Sequence, residues 1–249
     1  MNAKFTAVAS LVFALTLTCE APCQMQAQDD KTPYPSMAPL DQYLMTDRNA
    51  EIALARSAAP DSISSNAEVL VFGRKGYETA IKGKNGFVCL VGRSWSSPFD
   101  DPEFWNPKVR APICYNPPAA RSVLPIYIQR TQMALAGLSK ARVISGIKAA
   151  YDKKELPIPA PGSMCYMMSK QAYFGDSEPP LSHLMFELPP LDAAAWGANL
   201  PGSPVILGVQ GVSEGAPEPM TEFVVPVGNW SDGTPAAADY NSASDSHKH

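Results

Sequence analysis

The order of apolar and polar positions divides the chain into helices and short strands. Apolar residues at helical spacing predict helices at 46–57, 121–138 and 139–151, with Asp47 or Thr46 capping the first and Ser139 the third. Runs rich in β-branched and aromatic residues predict strands at 67–73, 77–83, 87–93, 164–174, 181–188, 205–210 and 222–227. Strands, then helices, then strands again predict an α+β fold.

The first three predicted strands are separated by very short turns. Arg74-Lys75-Gly76 joins the first two, and Lys84-Asn85-Gly86 joins the second pair with an Asn-Gly step that favours the positive φ values of a tight hairpin. We therefore expect an antiparallel β-meander, followed by a helical pair and further antiparallel strands, all within a single domain.

The N-terminus has the pattern of a secretory signal peptide over residues 1–27. Lys4 supplies a positive charge, and the apolar run 5–17 that follows is too short to span the roughly 30 Å hydrocarbon core of a bilayer. Cleavage after Ala27 is preferred, and cleavage after Ala21 is the alternative. Cys19 follows Thr18 and not the small residue that lipidation requires, so no lipid anchor is expected.

The rest of the chain predicts one exported domain. Residues 28–44 form a Pro-rich linker, 45–228 a single α+β globular domain, and 229–249 a disordered polar tail. A content of 45% hydrophobic and 18% charged residues is sufficient for a buried core. No later run is long enough to cross a membrane, so we expect no transmembrane segment after signal cleavage and a location in the periplasm or outside the cell.

Charge is distributed unevenly along the chain. Residues 74–154 carry fourteen basic and five acidic side chains, whereas 155–249 carry two basic and eleven acidic ones. The basic residues are scattered singly without interleaved aromatic residues, which argues against a nucleic-acid surface. We expect the two halves to pack on one another or to form two solvated faces, and no nucleic-acid partner.

Export makes the cysteines candidates for a disulfide. After cleavage at Ala27 three remain, Cys89, Cys114 and Cys165, so at most one internal bridge can form. We favour Cys89–Cys114, which would tie the long loop after the third strand to the sheet. The other two pairings stay open.

The sequence offers little for a metal. His183 is the one histidine outside the tail, and no set of Cys and His has the spacing of a zinc site. Soft donors that suit copper occur at Met164, Cys165, Met167, Met168, His183 and Met185. On a strand, however, Met164 and Met168 face away from Cys165 and Met167, so the cluster is divided and core packing is the expected role. We expect no metal and no cofactor.

The loop at 95–115 is the most site-like feature, because it mixes aromatic rings with charged groups as small-molecule pockets do. The candidate ligand-binding residues are Trp95, Asp100, Asp101, Glu103, Trp105, Arg110 and Tyr115, together with His183. Two hypotheses stay open. The preferred one is a non-catalytic module that binds a small molecule or an envelope protein; the alternative is a hydrolase-like cell-envelope enzyme that uses the acidic residues of this loop.

The run WSSPFDDPEFWNPKVRAPICYNPPAARSVLP, which begins at Trp95 and ends at Pro125, resembles a segment of uncharacterised exported bacterial proteins. The similarity extends over about 47–233 and includes KGKNGFVCLV, SHLMF and WGANLPGSPV. This resemblance implies export and a shared fold, but no activity. Members of the family can carry additional histidines before the HLMF run, and residues 177–182 of this chain contain none, so the resemblance implies no metal role here.

Overall fold

The computed structural model describes residues 33–176, 179–210 and 217–236. The signal peptide and residues 237–249 of the tail lie outside these ranges. The described helices are α1 (Arg48–Arg56), α2 (Asp61–Ser64), α3 (Pro117–Ser122), α4 (Leu124–Leu135) and α5 (Lys140–Asp152). The described strands are β1 (Glu68–Gly73), β2 (Gly76–Ile81), β3 (Val88–Gly92), β4 (Ala111–Tyr115), β5 (Met164–Met167), β6 (His183–Leu188), β7 (Ile206–Gln210) and β8 (Thr221–Pro226). Helices and strands together confirm the α+β class.

The eight strands form one mixed sheet in the order β2-β1-β3-β4-β5-β6-β8-β7. All the pairs in it are antiparallel except β1 and β3, which run parallel with Glu68 opposite Val88. The first three strands therefore do not form the expected antiparallel meander, because β3 lies beside β1 and not beside β2.

Contacts just before the start of β1 explain why the second turn is not a hairpin. The side chain of Asn85 donates to the carbonyl of Ile63 at 2.8 Å, and the backbone N–H of Lys84 donates to the carbonyl of Asn66 at 2.8 Å. These bonds draw the connection across the start of β1 and place β3 on its far side. Gly86 does have a positive φ, of 78°, as an Asn-Gly step favours.

The helices follow the predicted pattern, apart from the additional short helix α2 and two further differences. Asp47 caps α1, accepting from the N–H groups of Asn49 and Ala50, and Ser139 is the N-cap residue of α5 although its side chain makes no capping bond. The helix predicted at 121–138 is instead two helices, α3 and α4. Pro125 has no N–H to continue a helix, so it stands in the first turn of a new one.

Helices cover both faces of the sheet. On one face, α1 packs over β1, β3 and β4, and the core there includes Ala55, Val69 and Val91. On the other face, α3 contacts β4 and β5, and Leu90 and Ile126 belong to the core beneath the helices. Alternate residues of β3 thus enter different cores, as the period of a strand requires.

The chain on either side of the predicted domain also packs on it. In the predicted linker, Tyr43 is fully buried, and its hydroxyl donates to the carbonyl of Trp105 at 2.7 Å. In the predicted tail, the backbone N–H of Ser231 donates to the carbonyl of Met168 at 2.9 Å. No helix within the described ranges is both long and apolar enough to cross a membrane.

Candidate functional site

A cleft of about 250 Å³ lies where the loop after β3, helix α4 and strand β7 meet. Its walls include Phe99 and Asp100 from the loop, Arg130 from α4, Gly208 from β7, and Glu218 from the segment before β8. An apolar cavity of about 150 Å³ holds a benzene molecule. The cleft therefore has room for one ring with a short chain, and is smaller than the sites that hold drug-sized molecules.

A buried ion pair between Arg130 and Glu218 stabilises one wall of the cleft. Arg130 Nε donates to Glu218 Oε1 at 2.9 Å, and Nη2 lies 2.6 Å from Oε2. Arg130 Nη1 donates to the carbonyls of Trp95 and Ser97, at 3.2 and 2.8 Å. The ring of Phe99 lies over the guanidinium, with its centroid 3.9 Å from the Cζ atom. These bonds hold the loop and the segment before β8 against α4. Because its N–H donors are largely occupied, Arg130 retains little capacity to bind an anion.

The carboxyl group of Glu222 adjoins the cleft wall at Gly208. The pairing of β7 with β8 is irregular between Leu207 and Val209, so Gly208 occupies a bulge. A Cβ atom at this position would lie 2.6 Å from Glu222 Oε1, closer than any normal contact. Because glycine has no Cβ atom, position 208 provides room for the carboxyl group of Glu222.

Glu222 faces a second buried carboxyl group, that of Glu187. The two residues stand directly opposite each other on β8 and β6, a position in which Cβ atoms are about 4.5–5.5 Å apart. Glu187 is fully buried, and Glu222 is 5% exposed. Neither carboxyl oxygen of Glu187 has a hydrogen-bond partner of normal geometry among the described residues. The thiol of Cys165, a weak donor, adjoins the Glu187 carboxyl without making such a bond.

Burial without a matching cation changes the acidity of both groups. Burial raises the pKa of Glu187 to about 8, and the charge of Glu222 adds to the rise. Burial also raises the pKa of Glu222 to about 7; the carboxylate of Glu218 adds to this rise and Arg130 opposes it. Tyr127 of α4 lies near these carboxyls, and burial and then their charges raise its pKa well above 10. The carboxyl pair thus holds a proton at neutral pH.

This arrangement suits proton exchange and the binding of cations. A carboxyl group with a pKa near 7 can donate or accept a proton at physiological pH. It can also lose its proton when a positive group binds beside it, because the opposite charge favours the ionised form. Perturbed carboxyl groups next to a cleft are typical of functional sites.

Three of the candidate residues named from the sequence are buried in the core. Trp95 is fully buried and its Nε1 donates to Thr131 Oγ1 at 3.0 Å. Trp105 is 3% exposed, and its ring lies 6.5 Å from that of Trp95. Tyr115, at 2% exposed, packs against Tyr127 with 6.0 Å between ring centroids. These rings fill the space between the sheet and the loop or helices that cover it.

The charged candidates of the loop lie in different environments. Asp100 is exposed and lines the cleft. Asp101 Oδ1 accepts from the N–H of Glu103 at 2.7 Å, and Glu103 Oε2 accepts from the side chain of Asn106 at 2.5 Å, so both carboxyls hold turns of the loop. Arg110 donates to the carbonyls of Pro107 and Val109, and burial and then the charge of Arg93 lower its pKa to about 10.

His183 lies at the start of β6, away from the cleft lining. It is 7% exposed, and its Nδ1 bonds to the carbonyl of Leu181 at 2.8 Å. Within the described part of the chain, no group of three or more His, Cys, Asp or Glu side chains is arranged to hold a metal ion. The structure therefore brings Asp100 to the cleft and leaves His183 and the other candidates elsewhere.

The site residues predicted from the sequence do not include Arg130, Glu187, Glu218 and Glu222. A signal was present for two of them, because Glu187 and Glu222 are single acidic residues inside the apolar strands HLMFEL and TEFVVP. Such a residue is ordinarily expected on the solvent face of a strand. In the structure Glu187 and Glu222 both project from a face of the sheet that is covered. This depends on the order of the strands, which cannot be predicted from the local sequence pattern.

The chain was also compared with known proteins. No protein-family model, curated protein sequence or solved structure matches it. The chemistry of the cleft and of the adjoining carboxyl pair is thus what points to a function.

Proposed function

We propose that this is an exported binding protein whose cleft takes a small organic cation with an apolar body. The observation that carries the proposal is the pair Glu187 and Glu222, which is buried beside the cleft without a cation of its own. The nearby cation, Arg130, is already matched by Glu218. With Asp100 at the rim, the cleft has an excess of negative charge.

The shape and lining of the cleft define the ligand further. The ring of Phe99 offers an apolar surface, and the volume of about 250 Å³ fits a single ring with a short chain. A protonated amine at the end of that chain would complement Glu222 and Asp100. Because Glu222 is partly protonated near pH 7, binding of the amine releases a proton, and affinity rises with pH until Glu222 is ionised.

The test compares two probes that differ in one group, 2-phenylethylamine and 2-phenylethanol. Isothermal titration calorimetry is performed at pH 6, 7 and 8, in buffers of different ionisation enthalpy so that released protons are counted. We expect the amine to bind with proton release and to bind more tightly at pH 8 than at pH 6. We expect the alcohol to bind at least tenfold more weakly, a difference of about 1.4 kcal/mol.

Two variants locate the binding. Glu222→Gln keeps the shape of the side chain and removes its charge, so it should abolish the preference for the amine. Gly208→Ala places a methyl group against the carboxyl and should weaken binding as well. Gly228→Ala is the matched control, because no atom lies within 4 Å of the added Cβ. Equal binding of the amine and the alcohol, or an unchanged preference in Glu222→Gln, would contradict the proposal.

A second candidate is an acid–base enzyme of the hydrolase type that uses the same cleft. The raised pKa of Glu222, about 7, favours it, because a general acid or base works best near the ambient pH. Asp100 at the rim would supply a second carboxylate. The two functions differ in the response to Asp100→Asn: a binding protein changes only its affinity, whereas an enzyme loses turnover of a chromogenic ester or glycoside substrate while its melting temperature is unchanged.

Export is proposed on two grounds, the signal-like N-terminus and the disulfide between Cys89 and Cys114. Disulfides persist in oxidising compartments and are rare in the cytosol. The periplasm or the extracellular space is therefore where we expect the cleft to meet its ligand.

A further inference from the structure

Four side chains with soft donor atoms lie together on two neighbouring strands. In the pairing of β5 with β6, Cys165 stands opposite Met185 and Met167 stands opposite His183. Residues two apart on a strand project from the same face, so the four side chains form a two-by-two array. Met164 is opposite Phe186 and projects from the other face. Strand pairing thus brings the donors of β5 and those of β6 side by side on one face, and leaves Met164 on the other face.

Three of the four side chains in the array are buried, and Met185 is partly exposed. Cys165 is fully buried, Met167 is 9% exposed and His183 is 7% exposed. Cys165 and Met167 belong to the core beneath α3 and α4, and Met185 packs against it. The ring of Phe174 lies 6.5 Å from that of His183. Thioether ligands are weak donors in water, so a dry environment favours their use by a metal ion.

The orientation of His183 leaves one ring nitrogen available. Its Nδ1 lies 2.8 Å from the carbonyl oxygen of Leu181. Because a carbonyl only accepts, Nδ1 carries the hydrogen and Nε2 carries the lone pair. Burial lowers the pKa of His183, which keeps the ring neutral. Histidines that bind metals usually donate their second N–H to a carbonyl or carboxylate in this way.

We propose that Cys165, Met167, His183 and Met185 form a binding site for a Cu(I) ion. Thiolate and thioether ligands select Cu(I), and imidazole suits copper as well. With metal–sulfur bonds of about 2.3 Å, an ion between two facing sulfur atoms needs them about 4.6 Å apart. Residues that face each other across a strand pair have Cβ atoms roughly 4.5–5.5 Å apart, so the sulfur atoms at the ends of their side chains are within reach of one ion. None of the four residues lines the cleft and the proposal does not rest on the proposed function, although Cys165 adjoins Glu187 of the carboxyl pair.

Binding at this site exchanges a proton for the metal. Burial, and then the nearby charge of Glu187, raises the pKa of Cys165, so its sulfur carries a proton in the free protein. When Cu(I) binds, the S–H bond breaks, a copper–sulfur bond forms, and the proton passes to the solvent. Copper remains Cu(I) throughout, so the step needs no oxidant or reductant.

The test is an anaerobic competition in which the protein withdraws Cu(I) from its coloured bicinchoninate complex. We expect one equivalent to be withdrawn, and X-ray absorption of the product to show sulfur ligands at about 2.3 Å. Met185→Leu and Met167→Leu conserve volume and should each weaken binding roughly tenfold or more. Met164→Leu, on the opposite face of β5, is the matched control and should leave the affinity unchanged.

Several results would contradict the proposed Cu(I) site. One is a wild-type protein that withdraws no copper. Another is an equal loss in Met164→Leu and Met185→Leu, which would point to a general effect on packing. His247→Ala combined with His249→Ala removes the tail histidines as competitors, and loss of binding in that variant alone would assign the copper to the tail. Melting temperatures of the metal-free variants show that each one is folded.

Discussion

At the scale of single residues, the buried arginine and glutamate side chains of this protein either form ion pairs or face another acidic group. Arg93 Nη2 lies 2.8 Å from Glu51 Oε1, and Arg130 is similarly matched by Glu218. Removing one partner of such a pair costs about 3–5 kcal/mol, because the other charge is left buried alone. Glu187 and Glu222 differ, since each faces another carboxyl group and is kept partly neutral by holding a proton.

The stability of the protein should therefore fall as pH rises. The native pKa values, about 8 for Glu187 and about 7 for Glu222, lie above the usual 4.5. Between the unfolded pKa of 4.5 and these native values, the folded state binds more protons than the unfolded state. The contribution of the two carboxyl groups to the free energy of unfolding is therefore fully present below about pH 4.5, and it is lost as the pH rises through 7 and 8. Urea unfolding at pH 5, 6, 7 and 8 measures the decline, which we expect to be on the order of a few kcal/mol.

The variant Glu187→Gln isolates one of the two groups. It removes the ionisable carboxyl and should flatten the decline between pH 6 and 8, so that the variant is relatively more stable at the higher pH. Glu155→Gln, an exposed position after α5, is the control and should retain the slope of the wild-type protein. Parallel curves for Glu187→Gln and the wild-type protein would show that Glu187 does not titrate in this range.

Residue type alone did not separate the roles of the aromatic residues in the 95–115 loop. Trp95 and Trp105 fit a ligand pocket and a hydrophobic core equally well by composition. The structure places both in the core, with Trp95 fully buried, and leaves Phe99 beside the cleft. The difference depends on which parts of the sheet and of α4 the loop covers, and that is a property of long-range packing.

At the scale of elements, the predicted disulfide between Cys89 and Cys114 is confirmed. The two residues face each other on β3 and β4, so the bridge joins neighbouring strands. The sequence predicts a loop at Cys114, because β4 is only five residues long and has Pro112 within it. This pair was favoured because it would tie the long loop to the sheet, although the strand that carries Cys114 was not predicted.

Loss of this bridge should destabilise the protein measurably. The bridge spans 25 residues, for which loop closure contributes about 3 kcal/mol. In a domain of this size that corresponds to a decrease in melting temperature of roughly 6–12 °C. We expect the double variant Cys89→Ala with Cys114→Ala to show this decrease in differential scanning calorimetry.

A reducing agent provides the matched comparison for the double variant. It should lower the melting temperature of the wild-type protein toward that of the variant and leave the variant itself unchanged. If the reductant changes both proteins equally, the stabilisation does not come from the bridge.

At the scale of the whole molecule, a buried ion pair connects the basic stretch of the chain with the acidic stretch. Arg130 belongs to the basic stretch 74–154, and its partner Glu218 belongs to the acidic remainder. This buried pair connects α4 with the segment before β8. It supports the expectation that the two halves pack on one another.

Export of the whole chain can be tested directly. If residues 1–27 are a cleaved signal, the protein recovered from the periplasm of a bacterial host should have the mass of a chain that begins at Gln28. Deleting the apolar run 5–17 should leave the protein in the cytoplasm with Cys89 and Cys114 reduced. A periplasmic protein that retains Met1 would contradict cleavage, and one that begins at Pro22 would assign it to Ala21.

The sequence by itself determined the features that depend on neighbouring residues. Helix α1 and its Asp47 cap, helix α5, most of the strands and the α+β class follow from periodicity and capping, which act over a few residues. The signal peptide is likewise read from local pattern and stays a prediction.

Only the tertiary structure decided how these elements are arranged. The parallel pairing of β1 with β3 results from contacts that the connecting chain makes with Ile63 and Asn66, far from the turn in which a hairpin was expected. The opposition of Glu187 and Glu222 and the array around Cys165 likewise depend on which strands become neighbours. Strand order is set by long-range packing of side chains, so chemistry that needs two strands cannot be read from either one alone.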